Sequence, residues 1–182
     1  MEDKPKRRRM NPQNDQVVDP DAWDVNGCSA NVRYHTSFTE TLVIEFWYDK
    51  HYWNRLHLGD REGERLGIDF EFVEPLVVKG YKYVSYYASK HKDFMFLNYP
   101  PKKTRALRVV LRQTFDKKDT LNIVVEYHFV SLDKIEVTIV TAMSTENFQL
   151  GDNQYAIEFK EDESVLYRLV NKKVIVIDNY LE

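Results

Sequence analysis

The sequence contains little cysteine and little glycine, and it has no long apolar run. Its single cysteine, Cys28, excludes an internal disulfide and a zinc site built from cysteines, and it fits a reducing compartment such as cytosol or nucleus. Six glycines leave little material for the glycine-rich loops that hold nucleotide phosphates. No apolar stretch approaches the ~20 residues that cross a bilayer, and the polar N-terminal region lacks the apolar core of a secretory signal. We therefore expect no membrane span and no export by that route.

Aromatic side chains, in contrast, are abundant. The chain has 12 Tyr, 10 Phe and 3 Trp among its 182 residues, an aromatic share of 14%. Aromatic and β-branched residues fit the pleated surface of a sheet, which favours a β-rich fold. The length suits one domain that can bury a sizeable core.

The clearest structural pattern lies between residues 121 and 143. Apolar side chains alternate with others along residues 121–130 and again along residues 134–143. Successive side chains of a strand point to opposite faces, so strict alternation predicts two strands that each bury one face. The short connection holds Ser131 and Asp133, which are turn formers, so we predict a hairpin at the centre of a sheet.

Further strand-like segments surround this hairpin. They are residues 31–35, 41–48, 50–58, 67–73, 105–115, 154–160, 164–170 and 173–179. The last two are predicted to pair through Asn171 and Lys172. Residues 80–94 fit either a tyrosine-rich strand or a helix with an apolar stripe, and we predict a helix. The pattern indicates a mainly β fold (a β-sandwich, jelly roll or barrel-like sheet) with one or two short helices, or an α+β arrangement.

Charge is unevenly distributed along the chain. The net charge of −3 divides into +3 for residues 1–10 and −6 for the remainder. Residues 1–24 are polar and lack apolar periodicity, so we predict a disordered basic arm before one β-rich domain of residues 25–182. The basic residues of the arm resemble a short nuclear-localisation signal, and they could also contact phosphate groups. They are Lys4, Lys6, Arg7, Arg8 and Arg9.

Basic and aromatic residues alternate in a second region, residues 79–112. Such a mixture is typical of surfaces that stack bases and neutralise phosphates. Tyrosines packed in a core, with lysines exposed to solvent, would produce the same pattern, and we favour this second interpretation. The candidate surface for nucleic acid or a partner comprises Lys79, Tyr81, Lys82, Tyr83, Tyr86, Lys90, Lys92, Arg105, Arg108 and Arg112.

One short catalytic pattern occurs in the sequence, since Tyr86 and Lys90 match the Tyr-x-x-x-Lys element of short-chain dehydrogenases. The glycine-rich loop near the N-terminus that this family needs to hold a dinucleotide is missing, so we interpret the match as chance. No two of the five histidines have the spacing that places two imidazoles on one helix face, and no Ser, Cys or Asp lies in a recognisable nucleophile context. We therefore predict no catalytic residue, no metal ligand and no cofactor, and hence a protein that is not an enzyme.

The sequence leads to three functional hypotheses. The first is a protein–protein interaction or assembly module, binding a protein partner or itself, that the basic arm sends to the nucleus. The second is a capsid or matrix subunit of a virus, because a basic arm before a β domain is common in coat proteins. Such a subunit would be located in the virion, and a protein that is not imported into the nucleus would be located in the cytoplasm. The third is a nucleic-acid-binding protein that uses residues 79–112 and the basic arm.

Overall fold

The structure, a computed structural model, describes residues 23, 31–39, 42–59, 67–99, 106–116, 119–146, 148–161 and 163–181. Nine strands and two helices lie within these residues. In chain order they are β1 (Val32–Thr39), β2 (Val43–Asp49), α1 (Lys50–Leu58), α2 (Phe70–Lys90), β3 (Leu97–Asn98), β4 (Val109–Asp116), β5 (Asp119–Ser131), β6 (Lys134–Ser144), β7 (Tyr155–Phe159), β8 (Glu163–Val170) and β9 (Lys173–Leu181).

The described strands belong to one sheet. Their order across the sheet is β1, β2, β6, β5, β4, β7, β8 and β9, and the two-residue β3 pairs with β5 beside β4. Neighbouring strands are antiparallel except at three places, where β2 runs parallel to β6, β3 to β5 and β4 to β7. The sheet therefore begins at β1 and ends at β9.

The central hairpin is confirmed. Strands β5 and β6 pair in antiparallel fashion, with Tyr127 opposite Val137 and Phe129 opposite Ile135. Their register shifts at two places, between Val124 and Val125 and again near the turn, and such bulges increase the local twist of a sheet. The hairpin of β8 and β9 through Asn171 and Lys172 is also confirmed.

Helix α1 occupies residues that we predicted as a strand, so that prediction is wrong. Asp49 caps the helix, since its side chain accepts a hydrogen bond of 2.8 Å from the backbone N–H of His51. Gly59, with a φ of 70°, ends it. Leu56 and Leu58 fit a period of two, whereas Trp53 and Leu56 have the spacing of a helix face, and the cap at Asp49 favours the helix.

Helix α2 is longer than the short helices that we expected. The predicted helix over residues 80–94 is confirmed as far as Lys90, whereas the predicted strand over residues 67–73 is wrong because α2 already begins at Phe70. A buried stripe spaced by three or four residues runs the length of the helix. It comprises Val73, Leu76, Val77, Gly80, Tyr83, Val84 and Tyr87.

The main core lies between α2 and one face of the sheet, which we call the helix face. Gly80 lets the helix approach closely, because a Cβ there would lie 2.6 Å from a terminal carbon of Leu111 and 3.2 Å from the hydroxyl of Tyr127. Fully buried Ile123, Val125 and Ile157 belong to the same cluster. A smaller apolar cluster on the other side, which we call the second face, contains Val110, Val124, Ala156 and Tyr167.

The mainly β class with two helices is thus confirmed. The described strands form one large sheet with α2 packed on one face, as the α+β alternative describes. Neither helix in the described part of the chain is long and apolar enough to cross a membrane.

Candidate interaction edge

Strand β9 lies at the end of the sheet, and the described residues place no further strand on its outer side. Three consecutive apolar side chains of this strand are exposed: Val174 by 60%, Ile175 by 48% and Val176 by 63%. Other exposed large apolar residues occur singly, at loops and element ends. An edge strand presents unpaired backbone N–H and C=O groups, and exposed apolar side chains beside them favour association with another chain.

The second half of β9 is fixed against α2. Asp178 Oδ2 lies 2.8 Å from His91 Nε2 and 3.8 Å from Lys90 Nζ, both at the end of the helix. The hydrogen bond from His91 lowers the pKa of the Asp178 carboxyl, and the Lys90 charge contributes to the same shift. The ring of Tyr180 packs edge-on against that of Tyr86, with centroids 4.5 Å apart. These contacts hold the strand in place from one end, so its exposed half is preformed.

The turn before β9 is also held firmly. Asn171 and Lys172 both have positive φ angles, 51° and 63°, which is the geometry of a tight two-residue hairpin turn. Asp152, in the segment before β7, accepts a hydrogen bond of 2.8 Å from the backbone N–H of Asn171. This hydrogen bond joins the turn before β9 to the segment before β7.

A groove of about 730 Å³ runs along the second face beside this turn. Apolar side chains from the loop before β7 and from the last two strands line it, and cationic and amide groups lie among them. The lining comprises Arg112, Phe148, Gln149, Leu150, Asp152, Tyr167, Leu169, Asn171, Lys172 and Val174. Arg112 is oriented by its Nη1, which donates to the hydroxyl of Tyr167 at 3.2 Å, and by its Nη2, which donates to the carbonyl of Glu146 at 3.0 Å. Because Val174 belongs to both, the groove and the β9 edge form one continuous surface.

A buried polar cluster lies elsewhere on the second face. Glu126 Oε1 accepts a hydrogen bond of 2.7 Å from Arg108 Nε, and its Oε2 lies 3.2 Å from His128 Nε2. Glu136 is directly across from His128 in the register of β5 and β6, and Lys134 Nζ lies 2.6 Å from Glu45 Oε1 on the neighbouring strand. The alternation of the central hairpin places these polar side chains on the face opposite α2.

Electrostatics within this cluster keep Glu126 charged. Burial raises the pKa of its carboxyl, but hydrogen bonds from His128 and Arg108 outweigh that effect, and the net pKa is lowered. The cluster thus holds two ion pairs on one sheet face, Arg108 with Glu126 and Lys134 with Glu45. In the described ranges, no group of three or more His, Cys, Asp or Glu side chains is placed to hold a metal ion.

The predicted basic and aromatic surface is divided between the two sides of the sheet. Tyr83 is buried, and the charged ends of Lys79 and Lys82 lie 5.9 Å and 5.4 Å from its ring centroid. Lys90 Nζ lies 4.4 Å from the ring centroid of Tyr86. These contacts match the interpretation in which the tyrosines pack and the lysines cover them.

The remaining predicted residues lie elsewhere. Lys92 is exposed just after α2, and Tyr81 packs against Tyr127 on the helix face, with centroids 6.0 Å apart. Arg108 and Arg112 project from the second face, so they do not join the lysines of α2. Arg105 and the basic residues of the arm, from Lys4 to Arg9, lie outside the described residues. Nucleic-acid binding by these residues stays a prediction.

Sequence reasoning did not identify the β9 edge. The run from Val174 to Ile177 is apolar on both sides of the strand, which is typical of an interior strand rather than an edge. Its flanking charges, Lys173 and Asp178, were the available signal, because charged residues at both ends of a short apolar strand often mark an edge.

No family model matches this sequence, and neither the curated proteins nor the solved structures include a significant match to the chain.

Proposed function

We propose that this protein is a non-enzymatic interaction module that binds an extended segment of a protein partner along the outer edge of β9. The observation that carries the proposal is the exposed apolar run from Val174 to Val176 on an edge strand. In strand addition, main-chain hydrogen bonds supply affinity and side-chain pockets supply selectivity.

The surroundings of β9 support this mode of binding. The contacts of Asp178 and Tyr180 with α2 hold the strand in position before a partner arrives. A preformed edge lowers the ordering cost of association. On one side of the incoming segment, the groove around Tyr167 would receive alternate side chains, and Arg112 and Lys172 would favour an acidic group among them.

The test is a selection of peptides from a random displayed library on the full chain. We expect the selected peptides to be extended and apolar, to slow hydrogen exchange of the β9 amides, and to bind the Val176→Lys variant about tenfold more weakly or worse. Leu132→Lys is the matched control, since Leu132 is 94% exposed in the turn between β5 and β6, and this variant should bind like the parent. Peptides that bind Val176→Lys as well as the parent, or that protect another strand, would contradict the proposal.

For the arm, we propose nuclear targeting by the basic residues at positions 4–9. A compact run of five positive charges has the charge density that an acidic import receptor binds. A fluorescent fusion of residues 1–24 should accumulate in nuclei, and replacing Arg7, Arg8 and Arg9 with Ala should make it diffuse. Equal distribution of both fusions would refute this role.

A further inference from the structure

We infer that the strand added to β9 is β9 of a second copy of this chain, in an antiparallel arrangement with a two-fold axis at Ile175. This inference rests on the proposed use of the β9 edge for binding and names its occupant.

Symmetry restricts the registers that two copies can adopt. A two-fold axis perpendicular to the plane of the sheet keeps each side chain on its own face of the sheet. The axis must therefore pass midway between one residue and the same residue of the second copy. With the axis at Val176, Val174 would lie opposite Asp178. With the axis at Val174, Ile175 would lie opposite Lys173.

The axis at Ile175 avoids both mismatches. Ile175 then faces its own copy, and Val174 of each chain lies opposite Val176 of the other. All three exposed apolar residues pair with apolar residues, and the valine pair occurs twice. Directly opposed side chains of this kind have Cβ atoms about 4.5–5.5 Å apart and contribute to pairing.

The charges at the ends of β9 also favour an antiparallel copy. Lys172 in the turn and Lys173 at the start of the strand are basic. The second half of the strand contains Asp178, whose carboxylate stays ionised beside His91. With the axis at Ile175, Lys172 of one chain lies opposite Asp178 of the other, and Lys173 lies opposite Ile177. A parallel neighbour in register would place lysine beside lysine instead.

The bulge in β9 limits the apolar contact to the first half of the strand. The pairing with β8 shifts between Leu166 and Tyr167, and Ile177 beside this shift packs against the main core. The apolar contact therefore involves only three residues of each chain. Such a small interface gives a weak dimer, whose population depends on the protein concentration.

The first experiment measures the mass of the full chain by analytical ultracentrifugation over a wide concentration range. We expect the average mass to rise from one copy towards two. Val176→Lys should raise the dissociation constant about tenfold or more, because symmetry places the change at two positions. Leu132→Lys should leave the constant unchanged.

The second experiment fixes the register by oxidative cross-linking in a Cys28→Ser background. Ile175→Cys should form a disulfide with its own kind. Val174→Cys and Val176→Cys should cross-link readily when the two proteins are mixed and poorly when each is alone, because each position faces the other across the axis.

The results also separate this inference from the proposed function. A single-copy mass at every concentration overturns self-pairing, and so does a dimer that Val176→Lys does not weaken or that Ile175→Cys does not cross-link. If such a protein still binds selected peptides along β9, the interaction edge stands and only the second copy as its occupant is wrong. If it binds none, both are wrong.

Discussion

The imidazole of His91 lies 2.8 Å from the carboxylate of Asp178, and this hydrogen bond joins the end of α2 to the last strand of the sheet. Lys90 adds a second positive group 3.8 Å from the same oxygen. The contact joins β9 to α2 in addition to the pairing of β9 with β8, and so it supports the geometry of the proposed interaction edge.

Replacing Asp178 with Asn should therefore destabilise the protein. We expect the free energy of unfolding at pH 7 to fall by about 1 kcal/mol, because the asparagine oxygen still accepts a hydrogen bond from His91 but a bond to a neutral group contributes less than a bond to a charged one. Urea unfolding of the two proteins measures the difference. Asp93→Asn, at an exposed position after α2, is the control and should change stability by only a few tenths of a kcal/mol.

The effect of Asp178 should also depend on pH. Its folded pKa is lowered by the His91 hydrogen bond, so the stabilisation is complete above the unfolded carboxyl pKa of ~3.9 and is lost as the pH falls through the folded pKa. The difference between parent and Asp178→Asn should shrink below about pH 4. A difference that stays constant down to pH 2 would show that the ionised carboxylate is not responsible.

Two fully buried tyrosines should respond differently to loss of their hydroxyl groups. Tyr87 OH donates to the carbonyl of Ser164 at 2.7 Å and lies 2.8 Å from its Oγ, whereas Tyr127 OH donates to the carbonyl of Val77 at 3.4 Å. We expect Tyr87→Phe to cost about 1–2 kcal/mol, and Tyr127→Phe less than about half of that. Chemical denaturation compares them directly, and equal losses would contradict this ranking.

Loss of the Glu126 charge should weaken the central sheet. Glu126→Gln keeps the shape of the side chain but leaves Arg108 and His128 without their anionic partner, so we expect a loss of about 2 kcal/mol at pH 7. Because the folded pKa of Glu126 is lowered, its contribution is present above ~4.3 and disappears as the pH falls through the folded value. Unfolding curves at pH 7 and pH 3 test both statements, with the exposed Glu161→Gln as control.

Gly80→Ala tests the close approach of α2 to the sheet. Alanine favours a helix over glycine by about 1 kcal/mol, but the added Cβ would lie 2.6 Å from Leu111 Cδ1 in a fully packed core. We expect overpacking to outweigh propensity and to lower the free energy of unfolding by about 1 kcal/mol. Gly151→Ala, whose Cβ would meet only Gln154 Oε1 at 3.4 Å, is the comparison. A gain in stability for Gly80→Ala would mean that Leu111 moves aside at little cost.

The sequence determined the parts of the fold that depend on local pattern. Alternation along β5 and β6 extends over ten residues each, which is long enough to separate a period of two from a period of 3.6. The turn at Asn171 and Lys172 was equally local. The segments that became α1 and the start of α2 are shorter, and over seven to nine residues their apolar positions fit both periods. There the cap at Asp49 and the packing of Phe70 with Tyr52, at 5.3 Å between ring centroids, favoured the helix.

The position of each strand in the sheet, and the pairing of distant charges, follow from how the whole chain folds. An apolar run such as Val174–Ile175–Val176 looks alike in sequence whether another strand covers it or not, because coverage depends on the order of strands and not on their composition. In the same way, Arg108 and Glu126 are 18 residues apart along the chain, and they become partners only through the pairing of neighbouring strands. Local periodicity fixes the faces of each strand, while the pairing of distant strands fixes the surface that the molecule presents.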